Sequence, residues 1–205
     1  FFKFPMVVPI SSGIAHNNPM CTGAKTIYII AIQFYYNLIM TKNLKQFITE
    51  HIDFPKKGIL FKDILPILQQ PDVFDDLIEN MSSSEIFEGA DSIIAIDARG
   101  FIFGTAISIK LSKPMIVARK PGKLPGELIS KSYKLEYGTN SLSIQKKAIE
   151  KYDSFVIVDD LLATGGTVKC VSEILLESGK KINGLSVVAE LGFLKAKSLL
   201  PFQVK

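Results

Sequence analysis

The stretch Phe155–Thr167, FVIVDDLLATGGT, constrains this chain's fold more than any other segment. Phe155–Val158 is an unbroken apolar run, which suits a strand buried on both faces. Two carboxylates, Asp159 and Asp160, close it. The loop Ala163-Thr164-Gly165-Gly166 then feeds Thr167–Glu177, where Val168, Val171, Ile174 and Leu175 share one side of a helix. Gly179 ends that helix as a C-cap glycine. Gly165 and Gly166 leave the backbone free to wrap an anion, and the helix N-terminus offers unpaired N–H groups and positive dipole. Thr164 and Thr167 add hydroxyls, and the carboxylates can accept hydrogen bonds from a sugar.

The same pattern repeats. Ser92–Ile96, Met115–Ala118 and Leu185–Ala189 are further apolar strand candidates, with a helix predicted over Phe101–Leu111. Strand and helix alternation with continuous apolar strands predicts an α/β fold with a mostly parallel, doubly wound sheet. Ligands bind such sheets at the carboxyl ends of the strands. Two of those ends are chemically marked, one by Asp97-Ala98-Arg99-Gly100 and one by Arg119-Lys120-Pro121-Gly122-Lys123. Arg99 and Arg119 are the chain's two arginines among 24 basic residues. A planar guanidinium fork at a glycine-rich turn suits an oxyanion.

The flanks are less regular. Leu44, Phe47, Ile48 and His51 fit one face of a short helix, broken by Phe54-Pro55-Lys56-Lys57-Gly58. Ile59–Phe61 reads as extended, Ile64–Leu68 follows with Pro66 inside, and Val73–Met81 as an amphipathic helix. From Ala118 to Gly138, two Pro-Gly pairs predict a long irregular excursion, of the kind that serves as a lid. Residues 1–40 contain no Asp or Glu and include the apolar run Thr26–Met40. That run is short for a membrane span, which needs about 20 apolar residues. Met40 opens what reads as a domain start. The first 40 residues are therefore expected to be an extension outside the native domain; a targeting segment and an integral element are the other readings. The domain is expected over 41–205.

The net charge is +4, and Lys3, Lys25, Lys42 and Lys45, all ahead of the first acidic residue Glu50, account for it. The remainder is balanced, so a nucleic-acid footprint is absent. Two distant cysteines, Cys21 and Cys170, and two isolated histidines, His16 and His51, argue against a disulfide framework, a histidine triad or a metal cluster built by the chain itself.

The 155–167 string resembles the phosphoribosyl pyrophosphate (PRPP) motif of type I phosphoribosyltransferases. The resemblance runs from about Leu44 to Leu200 and implies that family's doubly wound parallel sheet with a small N-terminal hood, about 43–70, on a core of about 71–205. It implies that Ala163, Thr164, Gly165, Gly166 and Thr167 cradle the 5′-phosphate, while Asp159 and Asp160 hold the ribose hydroxyls. Asp97–Gly100 is similar to the pyrophosphate loop, with Ala98 and a catalytic Arg99 against the diphosphate and a cis peptide at Asp97–Ala98. RKPGKLPG followed by SYKLEYG resembles the adenine-specific members. In those, Arg119, Lys120 and Lys123 would serve PRPP, with Arg119 often reaching across a dimer interface. Glu136 would be the acid/base, and Tyr137, Leu60, Phe61 and Lys62 would line the base. Lys62 stands where the family usually has arginine, and Lys57 where it has a second proline. Ala163 replaces the acidic residue of 6-oxopurine members.

The implied reaction is adenine + PRPP → AMP + pyrophosphate, with Mg²⁺ arriving on PRPP. A homodimer in the cytoplasm is expected, with no nucleic-acid partner and no membrane partner for the core domain. A phosphoribosyltransferase for another base, or a non-catalytic PRPP- or purine-sensing regulator, are the alternatives. The chain past Leu200 is short for the family, so a last strand is expected to be missing.

Overall fold

The structure is a computed structural model, and it describes residues 44–53, 60–135 and 138–205. The expectations for residues 1–40, for the break at 54–59 and for Glu136 and Tyr137 fall outside the described residues.

Two strands match their apolar runs to the residue, and a third contains its run and extends beyond it. β3 (Ser92–Ile96) is buried at every position, β4 (Met115–Ala118) lies beside it, and β7 (Ser154–Leu162) lies on its other side. With β8 (Lys181–Glu190) and β9 (Gln203–Val204) they form a five-stranded sheet in the order β4-β3-β7-β8-β9. Every pairing in it is parallel. Alternate residues of β3 and β7 point to opposite faces, as strand geometry requires. Ile94, Ile96, Phe155 and Ile157 join one apolar layer with Val168, Val171, Ile174 and Leu175 of helix α4 (Gly166–Glu177). Ile93, Val156 and Val158 join the other, with Leu77 and Ile78 of α1 (Pro71–Ser82) and Phe103 and Ile107 of α2 (Gly100–Leu111). A short α3 (Lys146–Ile149) precedes β7. Helices thus cover both faces, and Leu44–Lys205 forms one unit.

Close approaches fix where α2 lies. A Cβ on Gly104 would come 2.7 Å from Ala95 Cβ, so only glycine lets α2 seat this near β3. At the far end of α4, Gly179 takes φ +72° and the helix closes with Lys180 N donating to Leu175 O (2.9 Å) and Gly179 N to Leu176 O (3.0 Å). That is the Schellman arrangement expected of a C-cap glycine.

The structure differs from the sequence reading in four places. Leu44–His51 is not one helix. A 3₁₀ turn over Leu44–Phe47 leads into β1 (Thr49–Ile52), which pairs antiparallel with β2 (Leu60–Asp63). Two turns of apolar spacing cannot outweigh a ladder that sets Glu50 opposite Lys62 and Ile52 opposite Leu60. Part of the 118–138 excursion is also regular. β5 (Leu128–Leu135) and β6 (Gly138–Gln145) form an antiparallel hairpin, and the irregular part is confined to about 120–127. Leu142 and Ile144 on β6 and Ile129 and Tyr133 on β5 pack into the α4-side layer. β7 runs past its apolar stretch, so Asp159 and Asp160 stand within the strand; β8 keeps pairing it as far as Leu162↔Glu190. Finally, a last strand is present. Val204 is buried, Lys205 N donates to Leu185 O (2.9 Å), and Val187 N donates to Lys205 O (3.0 Å). Gly184 lets this strand lie close: a Cβ there would be 3.1 Å from Gln203 O and 2.7 Å from Ile86 Cγ2.

Among the described residues no helix is long and apolar enough to cross a membrane.

Candidate active site

Four chain segments meet at the carboxyl ends of β3, β4 and β7. After β3, Asp97 N still donates to Ala118 O (2.9 Å), and the Asp97–Ala98 peptide is cis as the resemblance implied. Gly100 then lets the turn lie flat against β7: a Cβ there would be 2.9 Å from Val158 O and 3.0 Å from Asp159 Oδ1. The close approach brings Arg99, at the N-cap of α2, onto the carboxylate pair. Arg99 Nε lies 2.6 Å from Asp160 Oδ2. The contact is charge to charge, since its angle leaves that oxygen without a hydrogen-bond partner. The same guanidinium sits 5.6 Å from the centroid of the Phe61 ring on β2, within cation–π range. Phe61 also lines a cavity of about 320 Å³ with His51, Asp63 and Leu65.

Asp159 and Asp160 are both buried, at 8% and 7% exposure. Asp160 N donates to Asp159 Oδ1 at 2.9 Å. Burial, and then the neighbouring Asp160 charge, push the Asp159 carboxyl up to about 8, against the opposing pull of the Asp160 N–H and Arg99. Such a group holds its proton until something replaces the lost water around it.

The loop after β7 is shaped as an anion cradle. Gly165 takes φ +80°, in the left-handed region, and is the N-cap of α4 with no side chain to cap it. The first-turn N–H groups of a helix have no partner within it, so those of Gly166, Thr167 and Val168 are available to a ligand. Ala163, Gly165, Gly166 and Thr167 are half-buried and Thr164 is exposed.

Arg119 follows β4. Its backbone is tied to β6 through Arg119 N to Ser143 O (2.9 Å) and Ser143 N to Arg119 O (2.7 Å). Its Nε donates to Asp97 Oδ2 (3.1 Å), its guanidinium carbon lies 5.6 Å from the Phe101 ring centroid, and its Nη1 makes a long contact, 3.5 Å, to Lys123 O. Lys120 and the Lys123 side chain are exposed.

The structure thus brings together Arg99, Asp159, Asp160 and Phe61, with Arg119 beside the same loop through Asp97. Lys62 is paired with Glu50 across the β1–β2 hairpin, an ion pair on the hood. The Leu60 backbone pairs with Ile52. Glu136 and Tyr137 are outside the described residues; Leu135 and Gly138 on either side are register partners. Sequence reasoning missed Asp97 and Phe101 as neighbours of Arg119. The contact arises because β3 and β4 pair in parallel, which no local spacing reveals. Among the described residues no three His, Cys, Asp or Glu side chains cluster as a metal cage. The donor set is the adjacent pair of carboxylates.

The phosphoribosyl transferase domain family model matches residues 62–192. An adenine phosphoribosyltransferase of Prochlorococcus marinus is 70% identical over 167 residues, covering 82% of this chain and 97% of the relative. That of Halothermothrix orenii is 48% identical over 157 residues, covering 77% and 92%. Among solved structures, the adenine phosphoribosyltransferase of Thermoanaerobacter pseudethanolicus matches with a TM-score of 0.75 at 41% identity, covering 80% of this chain and 96% of that one. The Saccharomyces cerevisiae structure, a complex with an imino-altritol bisphosphate and adenine, matches at 0.74 and 34% identity, covering 81% and 97%.

Proposed function

The chain belongs to the phosphoribosyl transferase domain family, and from that premise we infer that it is an adenine phosphoribosyltransferase, a pentosyltransferase of purine salvage that joins adenine to PRPP and releases pyrophosphate. One observation carries this reading beyond the family. Arg99 touches Asp160 and lies 5.6 Å from the Phe61 ring centroid, so the cation meant for the diphosphate has a ribose-binding carboxylate and an aromatic base platform within its reach.

The division of labour follows from the chemistry. A ribosyl transfer passes through an oxocarbenium-like state, as glycoside chemistry does. Asp159 and Asp160 hold the ribose hydroxyls. The amides of Ala163–Thr167, with the Thr164 and Thr167 hydroxyls, hold the 5′-phosphate. Arg99, with Ala98, meets the leaving diphosphate where charge develops. Arg119, Lys120 and Lys123 meet it from the β4 side. Phe61, Leu60, Lys62 and Tyr137 form the adenine subsite, and Glu136 moves the proton on the purine ring. The hairpin and its approach, 119–140, keep water from the activated ribose. Ala163 leaves out the carboxylate a 6-oxopurine would need.

Among the described residues the adjacent Asp159 and Asp160 have no third acidic, His or Cys side chain clustered with them, which fits a Mg²⁺ ion that arrives on the diphosphate. That ion would neutralise charge on the leaving group, while Asp159 and Asp160 would hold the hydroxyls of the ribose it accompanies. The active form is a homodimer in the cytoplasm.

The test is a base panel. Purified protein with PRPP and Mg²⁺ is offered adenine, hypoxanthine, guanine, xanthine and orotate separately. AMP from adenine alone is the expected result. Turnover of another base in preference, or PRPP binding without any nucleotide formed, overturns the assignment.

A further inference from the structure

Arg119 is held more completely than any other cation near the site. Its backbone is bonded in both directions to Ser143, its Nε to Asp97, and its guanidinium carbon lies 5.6 Å from the Phe101 ring centroid. Asp97 is itself nearly buried, with a side chain 10% exposed, while Arg119 keeps 34%. The division of the guanidinium matters. The carboxylate takes Nε, the Phe101 ring lies within cation–π range, and Nη1 makes only the long 3.5 Å contact to Lys123 O. A guanidinium held through Nε keeps its terminal nitrogens for a phosphate oxygen pair once that long contact is exchanged.

We propose that Asp97 and Phe101 are positioning residues that hold the Arg119 guanidinium for the pyrophosphate subsite. The inference rests on the reading of Arg119 as a diphosphate ligand. A long arginine side chain loses considerable rotamer freedom when a ligand fixes it. A carboxylate and a ring that have already fixed it remove that cost from the binding step, which is preorganisation. Asp97 and Arg119 directly follow the neighbouring parallel strands β3 and β4, so the clamp rests on the ends of the sheet. Asp97 also stands one residue before Ala98 and two before Arg99, so the strand end that carries one diphosphate arginine anchors the other.

A double-mutant cycle tests this. Asp97→Asn keeps the shape and removes the charge, and kcat/KM for PRPP should fall roughly 10- to 100-fold, the loss expected for a charge-assisted hydrogen bond. KM for adenine at saturating PRPP should stay within about two-fold, because the clamp acts on the diphosphate end. In an Arg119→Ala background, Asp97→Asn should cost less than about two-fold, since its target is gone. Equal losses in both backgrounds overturn the proposal, because Asp97 would then act through the loop's structure. Phe101→Leu, which keeps the apolar contact and removes the ring face, is carried through the same cycle, and it decides if Asp97→Asn fails to fold. Pyrophosphate affinity by calorimetry reports the cycle without turnover. Loss of pyrophosphate binding that depends on Arg119 supports the clamp even if adenine proves the wrong base, so the two assignments fail separately.

Discussion

Arg99 and Asp160 are each other's ion-pair partners, Nε to Oδ2 at 2.6 Å, although they are assigned to different groups of one substrate. On the proposed assignment, PRPP would exchange this pair for two others, diphosphate with Arg99 and ribose hydroxyls with Asp160. The pair keeps a buried carboxylate neutralised until that exchange.

Removing the arginine tests its place at the leaving group. Arg99→Ala should lower kcat by roughly 10²–10³, as loss of an oxyanion donor does elsewhere. Arg99→Lys should recover only part of that, since an ammonium lacks the fork. Steady-state kinetics with adenine and PRPP decide, and full activity in the lysine variant would show that a point charge is enough.

The carboxyl of Asp159 predicts how stability varies with pH. Its folded value, about 8, lies above its ordinary value of 3.8. Below both, the group is protonated folded and unfolded and contributes nothing. Between them only the unfolded chain gives up the proton, so this group's contribution to stability falls steadily as pH rises through the window and stays lost above about 8. Asp159→Asn should flatten that decline, and the variant should melt higher than the parent at about pH 9 and little differently at about pH 4. It should also bind PRPP more weakly. A parallel pH dependence in parent and variant would remove Asp159 as the cause.

The cradle has a geometric test. Gly165→Val places a β-branched residue at φ +80° with its Cβ 3.4 Å from Ala196 Cβ. Left-handed backbone costs an L-residue about 1–2 kcal/mol, which a thermal melt should register without loss of the fold. Calorimetry should find PRPP binding abolished. A folded variant with parental affinity would place the phosphate elsewhere.

Glu136 is assigned proton transfer. Glu136→Gln should reduce kcat by roughly 10²–10⁴ while both substrate affinities hold. If the glutamine variant keeps its rate and only Glu136→Leu is impaired, the residue orients the base by hydrogen bonding, and the proton moves by another route.

The parts of this fold that were legible are those where one force dominates. β3 and β4 were read to the residue because strands buried on both faces must be continuously apolar between turn residues. β1 was misread because Leu44–His51 satisfies a helical spacing over too few residues to separate it from a strand. The β5–β6 hairpin was concealed by serines, yet Leu142 and Ile144 alternate with Ser141 and Ser143 in the period of a strand. Polarity made Asp159 and Asp160 look like a strand's end, whereas backbone pairing with β8 carries the strand on to Leu162. In the site, the cradle and the carboxylates could be read because they are contiguous. The Asp97–Arg119 bond could not, because it joins residues 22 positions apart through the register of two strands.

The allotment of alternate β3 and β7 residues to two apolar layers has a consequence for how sequences like this one can diverge. Ile107 belongs to the α2 side and Ile174 to the α4 side, with the whole sheet between them. Residues without shared partners lose stability independently. Ile107→Val and Ile174→Val should therefore add to within about 0.5 kcal/mol. The sheet works as a bulkhead: a compensating change for damage in one layer has to arise in that layer, so the two can drift at different paces while the strand ends that carry the chemistry stay where they are.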